Sequence, residues 1–228
     1  MDFAFQPPPV PSVPVSSGGL FPVRRIFCVA RNYAEHAREM GSDPVREPPF
    51  FFTKPADAVV PSGALLPFPP RTANLHHEVE LVVAIGRGGA DIPAAKVDGA
   101  HIFGYAVGID LTRRDLQAAA KAKGQPWDMA KGFDRSAPVG PIAPLSRTGI
   151  MTRGRIELRV NGEMRQSGDI ADMIWRVAEI VQELSAFVEL APGDLIFTGT
   201  PAGVGPVVRG DRLEARIEGL DPLMVSFA

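Results

Sequence analysis

The chain has 228 residues, 45% of them hydrophobic, which is enough to bury one full core with room for a small appendage. Its 24 basic and 26 acidic residues leave a net charge of -2 and no basic patch, so the composition argues against nucleic acid as a partner. Cys28 is the only cysteine, which excludes an internal disulfide, and no apolar run approaches the roughly 18 residues of a membrane span.

From the start of the chain, residues 1–20 contain no basic segment leading into an apolar run, so a soluble, cytoplasmic protein without membrane contact is expected. Phe5 to Gly19 carries prolines at 7, 8, 9, 11 and 14 and then Ser-Ser-Gly-Gly. Such a composition is expected to form an arm without helix or ladder hydrogen bonds, ahead of a single domain over 21–228. Gly and Pro, 23 of each, favour many short strands joined by turns. Strands are expected at 25–30, 50–53, 78–85, 102–111, 155–160, 194–198 and 213–217, with Asn161-Gly162 as a hairpin turn. Cys28, inside the apolar run 26–30, reads as core rather than nucleophile. Helices are expected over 32–40, over 112–123 behind a Thr112 cap, and over 171–185, where Ile174, Val177, Ala178 and Val181 recur at helical spacing. Gly86-Arg87-Gly88-Gly89 opens no helix, which sets nucleotide cofactors aside.

Period-two alternation in His76-His77-Glu78-Val79-Glu80-Leu81 places Glu78 and Glu80 on one strand face and Val79 and Leu81 on the other. The apolar run that follows takes the strand inward, where unpaired carboxylates are costly. The same pattern also fits a strand whose first half faces water. Ile102 to Leu111 is almost uncharged and reaches one aspartate, Asp110, which could cap the following helix or complete a three-carboxylate set. An all-oxygen set favours Mg²⁺, Mn²⁺ or Ca²⁺ over zinc. His36 and Glu39, three residues apart, would share one helix face as a proton-sharing dyad or as plain surface charge. Arg114 and Lys131 are either surface charge or cations for a small substrate carrying a carboxylate and an oxygen that becomes negative. Thr198-Gly199-Thr200-Pro201 has loop chemistry that lets backbone amides approach a ligand.

In this order, the segments Ala30-Arg31-Asn32-Tyr33 with His36 and Glu39, Phe52-Thr53-Lys54-Pro55, His77-Glu78-Val79-Glu80-Leu81, Gly108-Ile109-Asp110 with Arg114, Lys131, and Thr198-Gly199-Thr200-Pro201 resemble the fumarylacetoacetate hydrolase superfamily. The closer likeness, through Phe21 to Ile26, Arg46 to Phe52 and Pro126-Trp127-Asp128, is to its acylpyruvate hydrolases, fumarylpyruvate hydrolases in particular. The resemblance implies an α+β, β-rich mixed β-sandwich roll with a few short helices, found as a homodimer. It implies Mg²⁺ or Mn²⁺ at Glu78, Glu80 and Asp110, and C–C bond hydrolysis of a 2,4-dioxo acid such as 3-fumarylpyruvate in aromatic catabolism. The catalytic residues would be His36, Glu39 and Lys131, and the substrate carboxylates would be held by Arg114, Gln117 and Thr200. Decarboxylation of oxaloacetate-like acids and isomerisation of unsaturated dioic acids are the rival chemistries on this scaffold, and a non-catalytic metal-stabilised binding protein is the rival of another class. Ala30 departs from the glycine common in these relatives. A positive φ at that position would displace His36.

Overall fold

The computed structural model describes residues 3–35, 47–97 and 99–228. Its architecture is built on two large sheets in face-to-face contact, with a three-stranded and a two-stranded sheet beside them. The larger, eight-stranded sheet runs in the order Phe50–Lys54, Arg25–Ala30, Asp194–Phe197, Val79–Ile85, Ile102–Ile109, Ala137–Val139 and Val59–Pro61, with Ala143–Pro144 also paired to Ile102–Ile109. The five-stranded sheet runs Glu163–Asp169, Arg155–Val160, Arg212–Ile217, Leu223–Phe227 and Ala64–Leu66. Between them lies the larger core, in which Leu81, Val83, Val107 and Ile109 meet Ile156, Leu158, Leu213, Ala215 and Val225. A second core, with Ile26, Cys28, Val82, Ala84, Ala106 and Phe197, covers the opposite face of the large sheet. The expected β-rich sandwich roll is therefore the fold.

Each expected strand is present to within a few residues. The Asn161-Gly162 turn joins Arg155–Val160 to Glu163–Asp169, with φ of 52° and 86° at its two residues. Both angles are positive, as the turn that matches strand twist requires. Cys28 is fully buried, and burial pushes its thiol well above the ordinary range.

Three expectations are corrected. Within the presumed arm, Ser12–Pro14 does form ladder hydrogen bonds, pairing antiparallel with Leu20–Pro22. Val13 supplies the side chain that makes this possible, 1% exposed in the second core, while Pro14 contributes only its carbonyl, to Ile142 N–H at 2.8 Å. Thr112 caps no helix. It lies in a two-residue strand opposite His76, its hydroxyl donates to the Asp110 carbonyl at 3.2 Å, and the helix runs Arg114–Ala122. The third long helix begins at Val177, not near 171, and ends at Phe187. Asp169 accepts from Ala171 N–H and closes a tight 3-10 turn over Ile170–Asp172, and Glu179 accepts from Arg176 N–H to start the true helix. Val177, Ile180, Val181 and Leu184 then form its buried stripe. The helix expected over 32–40 falls mostly outside the described residues.

Among the described residues no helix is long and apolar enough to cross a membrane.

Candidate functional site

Val79–Ile85 and Ile102–Ile109 are adjacent and antiparallel, with Val79 opposite Ile109 and Glu80 opposite Gly108. Asp110 N–H donates to the Glu78 carbonyl at 2.8 Å, carrying the pairing one step past both strands. Residues opposite one another share a face. Glu78, Glu80 and Asp110 therefore point the same way, with ligand-capable oxygens within 4.8 Å of one another and all three residues buried. Only glycine fits opposite Glu80, since a Cβ on Gly108 would lie 2.4 Å from Val82 Cγ2 and 2.7 Å from Phe197 Cε1.

Three cations surround the carboxylates. Lys131 Nζ donates to Glu78 Oε2 at 2.8 Å and to Asp110 Oδ2 at 2.6 Å. Burial opposes the charge on Lys131, but Asp110 and Glu78 outweigh it and hold the ammonium above the ordinary lysine range. Arg114 forks, donating to Glu78 Oε1 and, at 2.5 Å, to Gln117 Oε1. Lys54, wholly buried, lies 2.8 Å from Asp110 Oδ1 and donates to the carbonyls of Leu111 and Lys131. Glu80 differs from its neighbours: among the described residues its recorded partner is a backbone amide, Gly199 N–H at 2.6 Å, not a cation. Burial first, then Asp110 and Glu78, push its carboxyl well above the usual carboxylate range. A divalent cation among these three oxygens would remove that cost, and an all-carboxylate donor set suits Mg²⁺ or Mn²⁺. The chain's residues fit such an ion.

Gly199 reaches Glu80 because it adopts φ 94° and passes so close to Asn32 that a Cβ would lie 2.7 Å from Asn32 Cβ. Asn32 is itself fully buried. Its amide donates to the carbonyls of Trp175 and Thr198, and its side-chain oxygen accepts from Trp175 N–H. The left-handed residue beside it is Arg31, at φ 58°, whereas Ala30 ends its strand opposite Phe50 without positive φ. The methyl of Ala30 is thus accommodated by extended backbone.

Glu78, Glu80, Asp110, Arg114, Gln117, Lys131 and Thr200 all line one pocket, together with Phe52, Trp127 and Lys121. His36 and Glu39 lie outside the described residues. Sequence reasoning gave no role to three buried polar residues that build the site, Lys54, Asn32 and Gln166. Lys54 had a signal, being the one charge on an otherwise uncharged strand, Phe50–Lys54. Asn32 showed only as part of the Ala30-Arg31-Asn32-Tyr33 segment and Gln166 not at all, because their partners lie more than a hundred residues away for Asn32 and more than thirty for Gln166.

A sandwich whose adjoining strand ends press three buried carboxylates against two lysines and an arginine has the make-up of a divalent-cation enzyme for a small anionic substrate. The chain belongs to the fumarylacetoacetate hydrolase family: the family model for the "Fumarylacetoacetate (FAA) hydrolase C-terminal" region matches residues 25–227. It is 53% identical to the fumarylpyruvate hydrolase of Pseudomonas aeruginosa, whose crystal structure is a complex with Mn²⁺ and pyruvate. That match has a TM-score of 0.97 and covers 100% of this chain and 99% of that one. It is 47% identical to a fumarylpyruvate hydrolase of a Ralstonia species, over 76% of this chain and 90% of the relative. It is also 43% identical to the mitochondrial oxaloacetate tautomerase of Homo sapiens, over 86% of this chain and 88% of the relative. The chain is accordingly an enzyme of the hydrolase and isomerase type that this family comprises.

Proposed function

We propose that the protein is an acylpyruvate hydrolase that cleaves the C–C bond of a 2,4-dioxo acid, 3-fumarylpyruvate in the first instance, to a carboxylic acid and pyruvate. The observation that carries this reading is the pocket in which the acidic triad, Arg114, Gln117, Lys131 and Thr200 converge, in a chain 53% identical over its whole length to a fumarylpyruvate hydrolase bound to Mn²⁺ and pyruvate.

When bound, a divalent cation at Glu78, Glu80 and Asp110 supplies Lewis-acid polarisation of substrate oxygen. The remaining work falls to the chain's side chains. Arg114 and Gln117, already hydrogen-bonded to each other, present donors to a substrate carboxylate. Lys131, fixed between Glu78 and Asp110, keeps its positive charge beside the oxygen that becomes negative as the C–C bond breaks. Glu39, coupled to His36, takes the proton from the attacking water, a role that rests on the family resemblance. Phe52 and Trp127, 5.9 Å apart edge to face, wall the pocket and limit solvent. A homodimer, a cytoplasmic location and a place in aromatic catabolism belong to the same reading.

The oxaloacetate tautomerase relatives supply the specific alternative, since proton transfer in an enolised dioxo acid needs the same cations but no water attack. A panel of fumarylpyruvate, maleylpyruvate, acetylpyruvate and oxaloacetate with Mn²⁺ separates the two. Hydrolysis predicts loss of enol absorbance with release of one pyruvate per acylpyruvate consumed, abolished in Glu39→Gln. Conversion between oxaloacetate enol and ketone, with no pyruvate from any acylpyruvate, would establish the tautomerase instead.

A further inference from the structure

Gln166 lies on the five-stranded sheet and is the single buried side chain of the strand Glu163–Asp169. That strand slips against its partner: Leu158 faces Gln166, but Arg159 faces Met164, leaving Arg165 as an extra residue. A bulge of this kind re-aims a neighbouring side chain. The loop after Thr198 docks on the same strand so closely that a Cβ on Gly203 would lie 2.2 Å from the Arg165 carbonyl oxygen.

The Gln166 amide has four neighbours at hydrogen-bond distance. Its oxygen lies 3.1 Å from Val79 N and 2.9 Å from His77 Nδ1, and its nitrogen lies 2.8 Å from Thr200 Oγ1 and 2.9 Å from the Pro201 carbonyl oxygen. Val79 N–H can only donate and the Pro201 carbonyl can only accept, so the orientation of the amide follows without ambiguity. His77 must then carry its hydrogen on Nδ1, and Thr200 Oγ1 must accept from Gln166. A hydroxyl has one hydrogen, and this is the single hydrogen bond that Thr200 Oγ1 makes among the described residues. Thr200 lines the pocket.

We propose that Gln166 is a positioning residue: its amide fixes the Thr200 hydroxyl as a donor aimed into the pocket, where it meets a carboxylate or carbonyl oxygen of the ligand. Recognition of that oxygen is thereby set from the second sheet. The chemistry of the ligand rests on the acylpyruvate reading above.

The test is calorimetric titration of pyruvate into the Mn²⁺-saturated full-length protein. Thr200→Val removes the hydroxyl and Gln166→Met removes the amide, each at similar volume. Each is expected to weaken pyruvate binding by about tenfold or more, the usual effect of losing a hydrogen bond to a charged group. The double variant should bind no more weakly than Thr200→Val alone, because Gln166 acts through that hydroxyl. Thr200→Ser, which keeps the hydroxyl, should bind within about twofold of the wild type. Gln166→Glu is the second probe if Gln166→Met fails to fold. It keeps an acceptor for Val79 but carries at most one hydrogen where the amide has two, so the Thr200 hydroxyl turns inward and pyruvate binding falls. Wild-type binding with unchanged affinity in both Thr200→Val and the Gln166 variants, or losses that add in the double variant, would overturn the role of Gln166 and leave the acylpyruvate reading standing. Absence of pyruvate binding in the wild type would overturn both.

Discussion

Asp110 stands directly across from Glu78, one step past the ends of the paired strands, with Glu80 two residues along, an arrangement that like charges alone would destabilise. Lys131, Lys54 and Arg114 answer two of the three carboxylates, and what remains unanswered is concentrated on Glu80. A second carboxylate nearby has an ordinary structural task. Asp115 accepts from the Thr72 hydroxyl at 2.7 Å, Ala73 N–H at 2.9 Å and Leu116 N–H at 2.9 Å, tying the loop before the His76 strand to the helix that carries Arg114 and Gln117. Its partial burial works against the charge, but these hydrogen bonds outweigh it and hold the carboxyl below the usual aspartate range. A group depressed in the folded state stabilises above its unfolded pKa and loses that contribution as pH falls through its folded pKa. Asp115→Asn is thus expected to cost about 0.5–1 kcal/mol at pH 7, the lower part of the capping range because the side chain is only partly buried. In thermal melts the gap between variant and wild type should close as the pH is lowered below the normal aspartate range. A gap that stays constant with pH would show that the charge of Asp115 is not what ties the loop. At this scale alternation over six residues put Glu78 and Glu80 on one strand face, and Asp110 joined them as a third ligand, not a helix cap, only through the family resemblance. Lys54 stood out only as a lone charge on its strand, and the roles of Asn32 and Gln166 were hidden, because a buried polar residue shows its purpose only beside its partners.

Strands announced themselves more clearly than their neighbours. Arg25–Ala30 and Arg155–Val160 have the ends expected from composition, yet nothing local says that Asp194–Phe197 inserts between Arg25–Ala30 and Val79–Ile85, from which it is separated by over a hundred residues. Pairing of that kind is decided by which faces bury together. The Ser12–Pro14 ladder was hidden for the opposite reason: local proline content spoke against it, and the burial of Val13 prevailed. Gly108 shows how closely the central pair of strands is fitted beneath the site. Gly108→Ala would force Val82 and Phe197 apart, an overpacking expected to cost about 1–3 kcal/mol. Because Glu80 is the residue opposite, Mn²⁺ affinity should fall along with the melting temperature. A variant that melts lower but binds Mn²⁺ as the wild type does would show that the strand spacing there does not govern the placement of Glu80.

For the molecule as a whole, the two sheets divide the labour. The large sheet carries the carboxylates and Lys54 at adjoining strand ends, and the smaller sheet braces the loop of Thr198 to Pro201 through Gln166. The sandwich and its metal-ligand candidates could be anticipated from alternation and motif order, whereas the bracing depends on the contact between sheets and emerges only in three dimensions. The central claim is that Glu78, Glu80 and Asp110 form one site for a divalent cation, with Glu80 indispensable because, among the described residues, its hydrogen-bond partner is a backbone amide and no cation forms an ion pair with it. The most direct measurement is Mn²⁺ stoichiometry by electron paramagnetic resonance in the wild type and in Glu80→Gln, with thermal melts to verify that both are folded. The account predicts one tightly bound Mn²⁺ per chain in the wild type and at least about a hundredfold weaker binding in folded Glu80→Gln, the loss expected when a charged ligand to a cation is removed. Equal Mn²⁺ binding by the two proteins, or none by the wild type, would contradict it.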